Sequence, residues 1–477
     1  LPATPARAAA PALPRDRRRV IVLGAGIAGL VATLEMRRAG WEVTLLEADA
    51  RPGGRCLTLR GGDTVAEVAV PVQRIGWDRA PDLYFNPGPA RIPHHHRAIL
   101  SYCRALGVPL EVLVNENRAA LLETPAGVLP QRRVQAALRG MVAELAVKGL
   151  GAGLEAPLGP GDLEALAEGL RRWGALDATG HTRGSSRGGW ATPPGAGPGA
   201  PEPLPPLDHR ALLAPEVWQA ASFAEAIDYQ ATMLQPVGGM DRIAAALARE
   251  VGDALVTGAE VVSLRRTEAG ARVTWREASG AMRQAEAPRL LVTLPAPVLA
   301  RLDTDFSAER RAALAVLRYS QAAKLAFLCP RRFWEEEDAI YGGISWTRRE
   351  ATQLWYPSHG FHAAQGVLVG AYVWDDDIAG RFAARTPAQR ALAVAEDVRV
   401  LHPGAELGEA ASVAWGQMPR ARGAWAEWTS VQRAREYRLL GAPEGPYHFA
   451  GEHLSWLPGW QEGAVLSAWE ALAGLAG

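Results

Sequence analysis

The residues of this 477-residue chain that could do chemistry fall into three groups. The first is a phosphate cradle. Val20-Ile21-Val22-Leu23-Gly24-Ala25-Gly26-Ile27-Ala28-Gly29 sets glycines in G-x-G-x-x-G spacing between an apolar run and a helical pattern. Gly24 permits the tight turn, Gly26 lets a pyrophosphate approach the backbone, and Gly29 lets the helix pack closely on the strand. Unpaired amides and the helix dipole then face the phosphates. Glu47 ends the next apolar run, where its carboxylate can accept both hydroxyls of a ribose. The glycine pair and arginine of Gly53-Gly54-Arg55 add bare amides and a forked cation suited to phosphate. The second group centres on Arg91, in Phe85-Asn86-Pro87-Gly88-Pro89-Ala90-Arg91-Ile92-Pro93. A guanidinium can hold a carboxylate by two parallel charge-assisted hydrogen bonds, which lysine does not reproduce; the same residue could instead be a structural arginine leading into a helix. The third group is aromatic: Trp374 follows Tyr372 at strand spacing, so both side chains share one face.

Several elements must position these groups. Val20 to Gly24 and Val43 to Glu47 read as buried strands and Ile27 to Ala39 as the helix between them, making one βαβ unit. Helical spacing recurs over His94 to Gly107, Gln131 to Val147, Asp162 to Trp173, after Gly238-Gly239, and over Gly463 to Leu475. Strands are expected at Leu255 to Leu264, Arg272 to Arg276, Arg289 to Leu294, Lys324 to Leu328 and Val367 to Trp374. Gly180 to Pro206, dense in Gly, Pro, Ser and Thr, reads as a long irregular surface insertion, with an active-site lid as the other reading. Leu1 to Arg19 reads as a disordered arm, left by processing or trimming.

Composition narrows the function classes. With 48% apolar residues the chain can fill two or three lobes around separate cores. Fifty-one basic residues balance fifty-one acidic ones, so neither a nucleic-acid surface nor a polybasic membrane face is indicated. No apolar run is long enough to span a bilayer. Cys56, Cys103 and Cys329 lie far apart without metal-ligand spacing and read as buried thiols; no metal is expected.

Beyond these local readings, Glu47-Ala48-Asp49-Ala50-Arg51-Pro52-Gly53-Gly54-Arg55 resembles the element that continues the FAD fingerprint in the flavin amine oxidase superfamily. Tyr447-His448-Phe449-Ala450-Gly451-Glu452-His453 and Pro458-Gly459-Trp460-Gln461-Glu462-Gly463-Ala464-Val465 resemble the second FAD signature of that superfamily. The resemblance implies FAD rather than a free nicotinamide, with Glu452 bonding the ribityl chain and Trp460 beside the isoalloxazine ring. It also makes Val261 an adenine contact and counts Gly88, Ala464 and Val465 among the cofactor contacts. The helix near Gly463 would point its positive end at the flavin N1/O2 edge. Gly423-Ala424-Trp425 has no cysteine where covalently flavinylated relatives carry one, so FAD is expected to be non-covalent.

Gly88-Pro89-Ala90-Arg91-Ile92-Pro93 resembles the G-x-x-R-[IL]-P motif of L-amino-acid oxidases. This branch implies that Arg91 and Tyr372 bind the substrate carboxylate and that Lys324 holds a water near flavin N5. Trp425 and Trp460 align with aromatic walls of amine oxidases, and with Trp374 they favour large hydrophobic or aromatic substrates. The implied fold is α/β with α+β lobes. A Rossmann-like FAD-binding domain (residues 20–90, 229–295 and 421–477) carries a mainly helical domain (91–228) and a substrate-binding sheet domain (296–420). The match is weak through the helical and Pro/Gly-rich region, and the segment Cys56 to Tyr84 is longer than in the animal-venom enzymes.

The expected reaction takes an L-amino acid and O2 to a 2-oxo acid, ammonia and H2O2. No protein base is obligatory, since water or the flavin surroundings could take the ammonium proton. An amino-acid 2-monooxygenase, an amine or polyamine oxidase, and a non-enzymatic flavin-holding scaffold are the alternatives. A homodimer is expected, cytoplasmic or, if a leader has been removed, secreted.

Overall fold

The computed structural model describes residues 18–150 and 159–476, so most of the expected N-terminal arm lies outside the described residues. β1 (Arg19–Leu23), α1 (Ile27–Arg38) and β2 (Glu42–Leu46) form the expected βαβ unit. The chain then leaves this layer for α2 (Arg97–Ala105), α3 (Gln131–Lys148), α4 (Pro160–Gly174), α5 (Pro215–Ser222) and α6 (Asp241–Val251). It returns through β3 (Leu255–Val256), β4 (Ala259–Thr267) and β5 (Arg289–Val292). After β6 (Ala323–Cys329), β7 (Gln353–Tyr356) and β8 (Gly366–Val373), it closes with β9 (Tyr447–Phe449) and α7 (Gln461–Ala476).

The first layer is a parallel sheet in the order β3-β2-β1-β5-β9. Its strands are covered on both faces, which is why they read as unbroken apolar runs. Leu30, Leu247 and Val465 from α1, α6 and α7 pack one face. Leu264 and Val273, of a four-stranded sheet that contains β4, pack the other together with Phe306. The single strand expected over Leu255 to Leu264 is therefore two strands in different sheets. Gly258 separates them at φ +67°, a left-handed turn that swings the chain out of the parallel layer.

A seven-stranded sheet has the order Ala410–Ala414, β6, β8, β7, Gly343–Trp346, Leu121–Thr124, Gly127–Pro130. The last two strands come from the stretch expected to be mainly helical. Their hairpin turns at Gly127, φ +107°, and Leu122 packs with Val134 of α3 and Val217 of α5, so the helical lobe is sewn onto the sheet. Residues 180–206 are largely irregular and exposed, as expected, apart from a short hairpin of Trp190–Thr192 with Glu202–Pro203. All three cysteines are free and buried. Among the described residues no helix is long and apolar enough to cross a membrane.

Candidate active site

The glycine cradle has the geometry its spacing implies. Gly24 turns at φ +95°, and a Cβ on Gly29 would fall 1.9 Å from the Gly24 carbonyl oxygen, so α1 can start there only with glycine. A Cβ on Gly26 would meet nothing within 4 Å: the space in front of it is open. Gly26 faces a cavity of about 690 Å³ that runs past Glu47, Gly54, Arg55 and Val261. Glu47 accepts the Ala25 amide (2.7 Å) and the Asp49 amide (2.8 Å), fixing the turn, while burial pushes its pKa up. Beside it the β4 ladder slips between Val261 and Ser263, leaving Val262 as the extra residue of a bulge. A bulge releases backbone groups from pairing, which suits an adenine edge.

This cavity meets a second one of about 460 Å³, and Gly26, Arg55, Thr293 and Trp415 line both. The joined space runs from the end of β2 to the start of α7, an extended cleft that fits a flavin dinucleotide. Arg55 stands at the junction, donating to Glu452 and to the Ala424 carbonyl at 2.7 Å each. The other carboxylate oxygen of Glu452 accepts the Gly459 amide at 2.9 Å. Ala464, in the first turn of α7, lines the cavity; Val465 is turned fully into the core and does not.

The second cavity gathers Arg91, Lys324, Tyr372, Trp374, Trp425 and Trp460 in one wall system. Arg91 is 7% exposed, and its guanidinium donates to Asn115 Oδ1 at 2.5 Å. No carboxylate pairs with it among the described residues, and burial pushes its pKa down. Its faces are instead covered by Trp355 (4.6 Å), Tyr229 (4.7 Å), Phe223 (5.5 Å) and Trp460 (5.9 Å). Lys324 projects from β6 and donates to the carbonyls of Gly88 (2.7 Å) and Asn86 (3.3 Å), in the loop that carries Arg91. Desolvation, then the nearby Arg91 charge, pushes its pKa down to about 7. Trp415 Nε1 holds the same loop through the Pro87 carbonyl (2.8 Å), and a Cβ on Gly88 would fall 2.1 Å from the Arg55 carbonyl oxygen. The loop is thus clamped from three sides.

Other wall residues lie outside the motifs. Asn115 orients Arg91 and donates to the Tyr229 carbonyl at 2.7 Å, tying two distant segments together. Phe223 stacks on Tyr229 (4.5 Å) and lies 6.2 Å from Trp374; His96 packs edge-on against Trp460 at 5.0 Å. Trp355 sits on β7, a strand absent from the sequence expectations. Nothing local in the sequence marks Asn115, Phe223 or Tyr229, because their role comes from long-range packing around Arg91.

The profile of the flavin containing amine oxidoreductase family matches residues 27–473. The flavin-dependent L-tryptophan oxidase RebO of Lentzea aerocolonigenes is 30% identical over 503 residues, covering 96% of this chain and 98% of that protein. The L-amino-acid oxidase of Pseudechis australis is 27% identical over 466 residues, covering 94% and 85%. Among solved structures, putrescine oxidase bound to putrescine superposes with a TM-score of 0.64 at 20% identity, covering 96% of this chain and 98% of that one. Cyclohexylamine oxidase of Brevibacterium oxydans gives 0.64 at 17%, covering 97% and 99%. Both share the fold. The chain belongs to the flavin-containing amine oxidoreductase family, and it is an oxidoreductase whose cofactor is FAD.

Proposed function

We propose that this enzyme oxidatively deaminates L-amino acids, preferring large hydrophobic or aromatic side chains, with O2 as the electron acceptor. The observation that carries the reading is Arg91: a buried guanidinium, on the wall of the flavin cavity, that forms no salt bridge with any carboxylate among the described residues. A buried cation is costly unless it is paired, and a substrate carboxylate would complete the pair. Tyr372 lines the same wall, 5.2 Å from the Trp374 ring, and serves as the second carboxylate contact. The two residues fix the carboxylate end, so the Cα–H is held in one orientation toward the cofactor.

Bound FAD supplies the hydride acceptor, after which the imino acid hydrolyses to a 2-oxo acid and ammonia and O2 is reduced to H2O2. Phe223, Trp374, Trp425 and Trp460 offer the side-chain surface. The carboxylate lining this cavity, Glu452, is occupied by Arg55 and the Gly459 amide, which leaves no counter-charge for a basic substrate side chain. Lys324, anchored by the Gly88 and Asn86 carbonyls, would use its remaining donor to hold a water toward the flavin and, when protonated, would favour the reaction with O2.

Mixing the protein anaerobically with each L-amino acid and following loss of the flavin absorbance tests this directly. Aromatic and large aliphatic substrates should bleach the flavin fastest and release 2-oxo acid, ammonia and H2O2 in air. Release of CO2 and an amide would instead mark a monooxygenase, and bleaching by simple amines alone an amine oxidase. Non-covalent FAD is part of the reading: Gly423-Ala424-Trp425 has no cysteine, and Cys56, the one cysteine lining the cavity, has its thiol pushed up to about 12. Denaturation should release all the FAD. Assembly as a homodimer, in the cytoplasm or, after leader removal, outside the cell, completes the proposal; sedimentation and fractionation test it.

A further inference from the structure

One cluster, which meets this cavity through His96, takes no part in the reaction described. His95 and His96 lie in the loop between Pro93 and α2, and Asp228 lies in a short turn, Ile227–Tyr229, from the far end of the helical lobe. The Nε2 atoms of His95 and His96 sit 3.0 and 3.3 Å from the same oxygen, Oδ1 of Asp228. All three atoms lie within 4.8 Å of one another. In a tetrahedral zinc site with bonds of about 2.0–2.1 Å, neighbouring ligand atoms are separated by roughly 3.3 Å. The cluster already has that spacing on the two edges that meet at Asp228. Two imidazoles and a carboxylate are a donor set that zinc, nickel and copper accept, and three protein ligands leave a position for water.

One further feature favours a cation over a purely hydrogen-bonded knot. His95 Nδ1 is buried with no hydrogen-bond partner among the described residues, so it is free to take up the proton that Nε2 now donates to Asp228 when a cation replaces that hydrogen bond.

We propose that His95, His96 and Asp228 form a binding site for a zinc-type divalent cation directly behind the cavity wall, and that its occupation slows turnover. The binding half stands on the cluster alone, whereas the effect on turnover rests on the cavity being the active site proposed above. The effect follows from connectivity. Tyr229, next to Asp228, covers Arg91, and His96 abuts Trp460. A cation would therefore lock together two separate chain segments, one on each side of the carboxylate site.

Calorimetric titration of the FAD-loaded protein with zinc ions, in a non-chelating buffer at pH 7.5, tests binding without reference to activity. One site per chain is expected in the wild type. His95→Ala and Asp228→Asn should each weaken it at least tenfold, with FAD content and melting temperature retained. In steady-state assays zinc should lower kcat/KM of the wild type severalfold and leave that of His95→Ala, whose basal rate is unchanged, unaffected. Equal zinc affinity in the wild type and both variants, or no stoichiometric site in the wild type, overturns the metal site and leaves a hydrogen-bonded cluster only. Zinc bound at this site with undiminished turnover overturns the inhibitory half. Neither outcome touches the amino-acid oxidase reading, which the flavin-bleaching experiment judges separately.

Discussion

Replacing Arg91 by Met would keep most of the side-chain volume and remove the charge. In the free enzyme this change is mild. The guanidinium has no anion to lose and donates to Asn115, a contact worth about 1 kcal/mol, while removal of an unpaired buried cation relieves desolvation. The melting temperature and FAD content should therefore stay close to those of the wild type. With substrate bound the balance reverses: the carboxylate enters a partly desolvated site lined by Trp355, Tyr229 and Phe223 and finds no cation where one was. Stranding one member of a buried ion pair costs roughly 3–5 kcal/mol. At about 1.4 kcal/mol per factor of ten, kcat/KM should fall by roughly two to nearly four orders of magnitude. The assay is steady-state H2O2 production on the best L-amino acid and, in parallel, on the amine lacking its carboxylate. The amine never used the contact, so its slow turnover should be almost unchanged. A variant that keeps near-wild-type kcat/KM on the amino acid would refute carboxylate recognition by Arg91 and reopen the substrate class.

Three further outcomes are expected. Glu47→Ala should lose FAD on dilution far faster than the wild type, by about 1–3 kcal/mol of binding, without altering the ranking of substrates; equal FAD affinity by fluorescence would remove its ribose role. The reaction of reduced enzyme with O2 should slow as pH rises through the pKa of Lys324, about 7 in the free protein, because the cationic form prevails below it and is lost above. Lys324→Met should be slow at every pH, and a pH-independent oxygen rate in the wild type would count against the role. Phe223→Ala should lower kcat/KM for aromatic substrates about two- to tenfold relative to leucine, the value of an aromatic contact, and a uniform loss across substrates would show that Phe223 only supports the wall.

What the sequence made legible was what is decided locally. Gly24 and Gly29 answer to steric demands within a few residues, and Glu47 to hydrogen bonds inside one βαβ unit, so their spacing pointed to the cleft proposed for the cofactor. β7 was illegible because Gln353–Tyr356 is buried on both faces and only four residues long, giving neither alternation nor length to read. The helix Pro387–Leu401, absent from the expectations, does carry a legible start: Thr386 and Gln389 cap it reciprocally, with Pro387 in the first turn. The Arg91 surroundings divide the same way. The loop that carries it has a motif, but Asn115, Phe223 and Tyr229 reach it from elsewhere in the chain, and their meeting is a product of packing.

The strand order β3-β2-β1-β5-β9 also constrains how the molecule is made. β1 (Arg19–Leu23) and β9 (Tyr447–Phe449) both flank β5 (Arg289–Val292), though they come from opposite ends of the chain. Such pairings are closed late, because the entropy of the intervening loops has to be overcome before any contact repays it. During synthesis the N-terminal βαβ unit therefore emerges long before β9 and α7 exist, and the apolar face of α1 that Val465 and its neighbours cover must wait for them. With FAD in the joined cleft, as proposed, its site draws on residues next to β2, in β4 and at the α7 start at once, so the cofactor would bind only the finished chain and act as a final staple. Scarcity of flavin during expression should show up as aggregation, and a chain cut before Gln461 should collapse without ever acquiring colour.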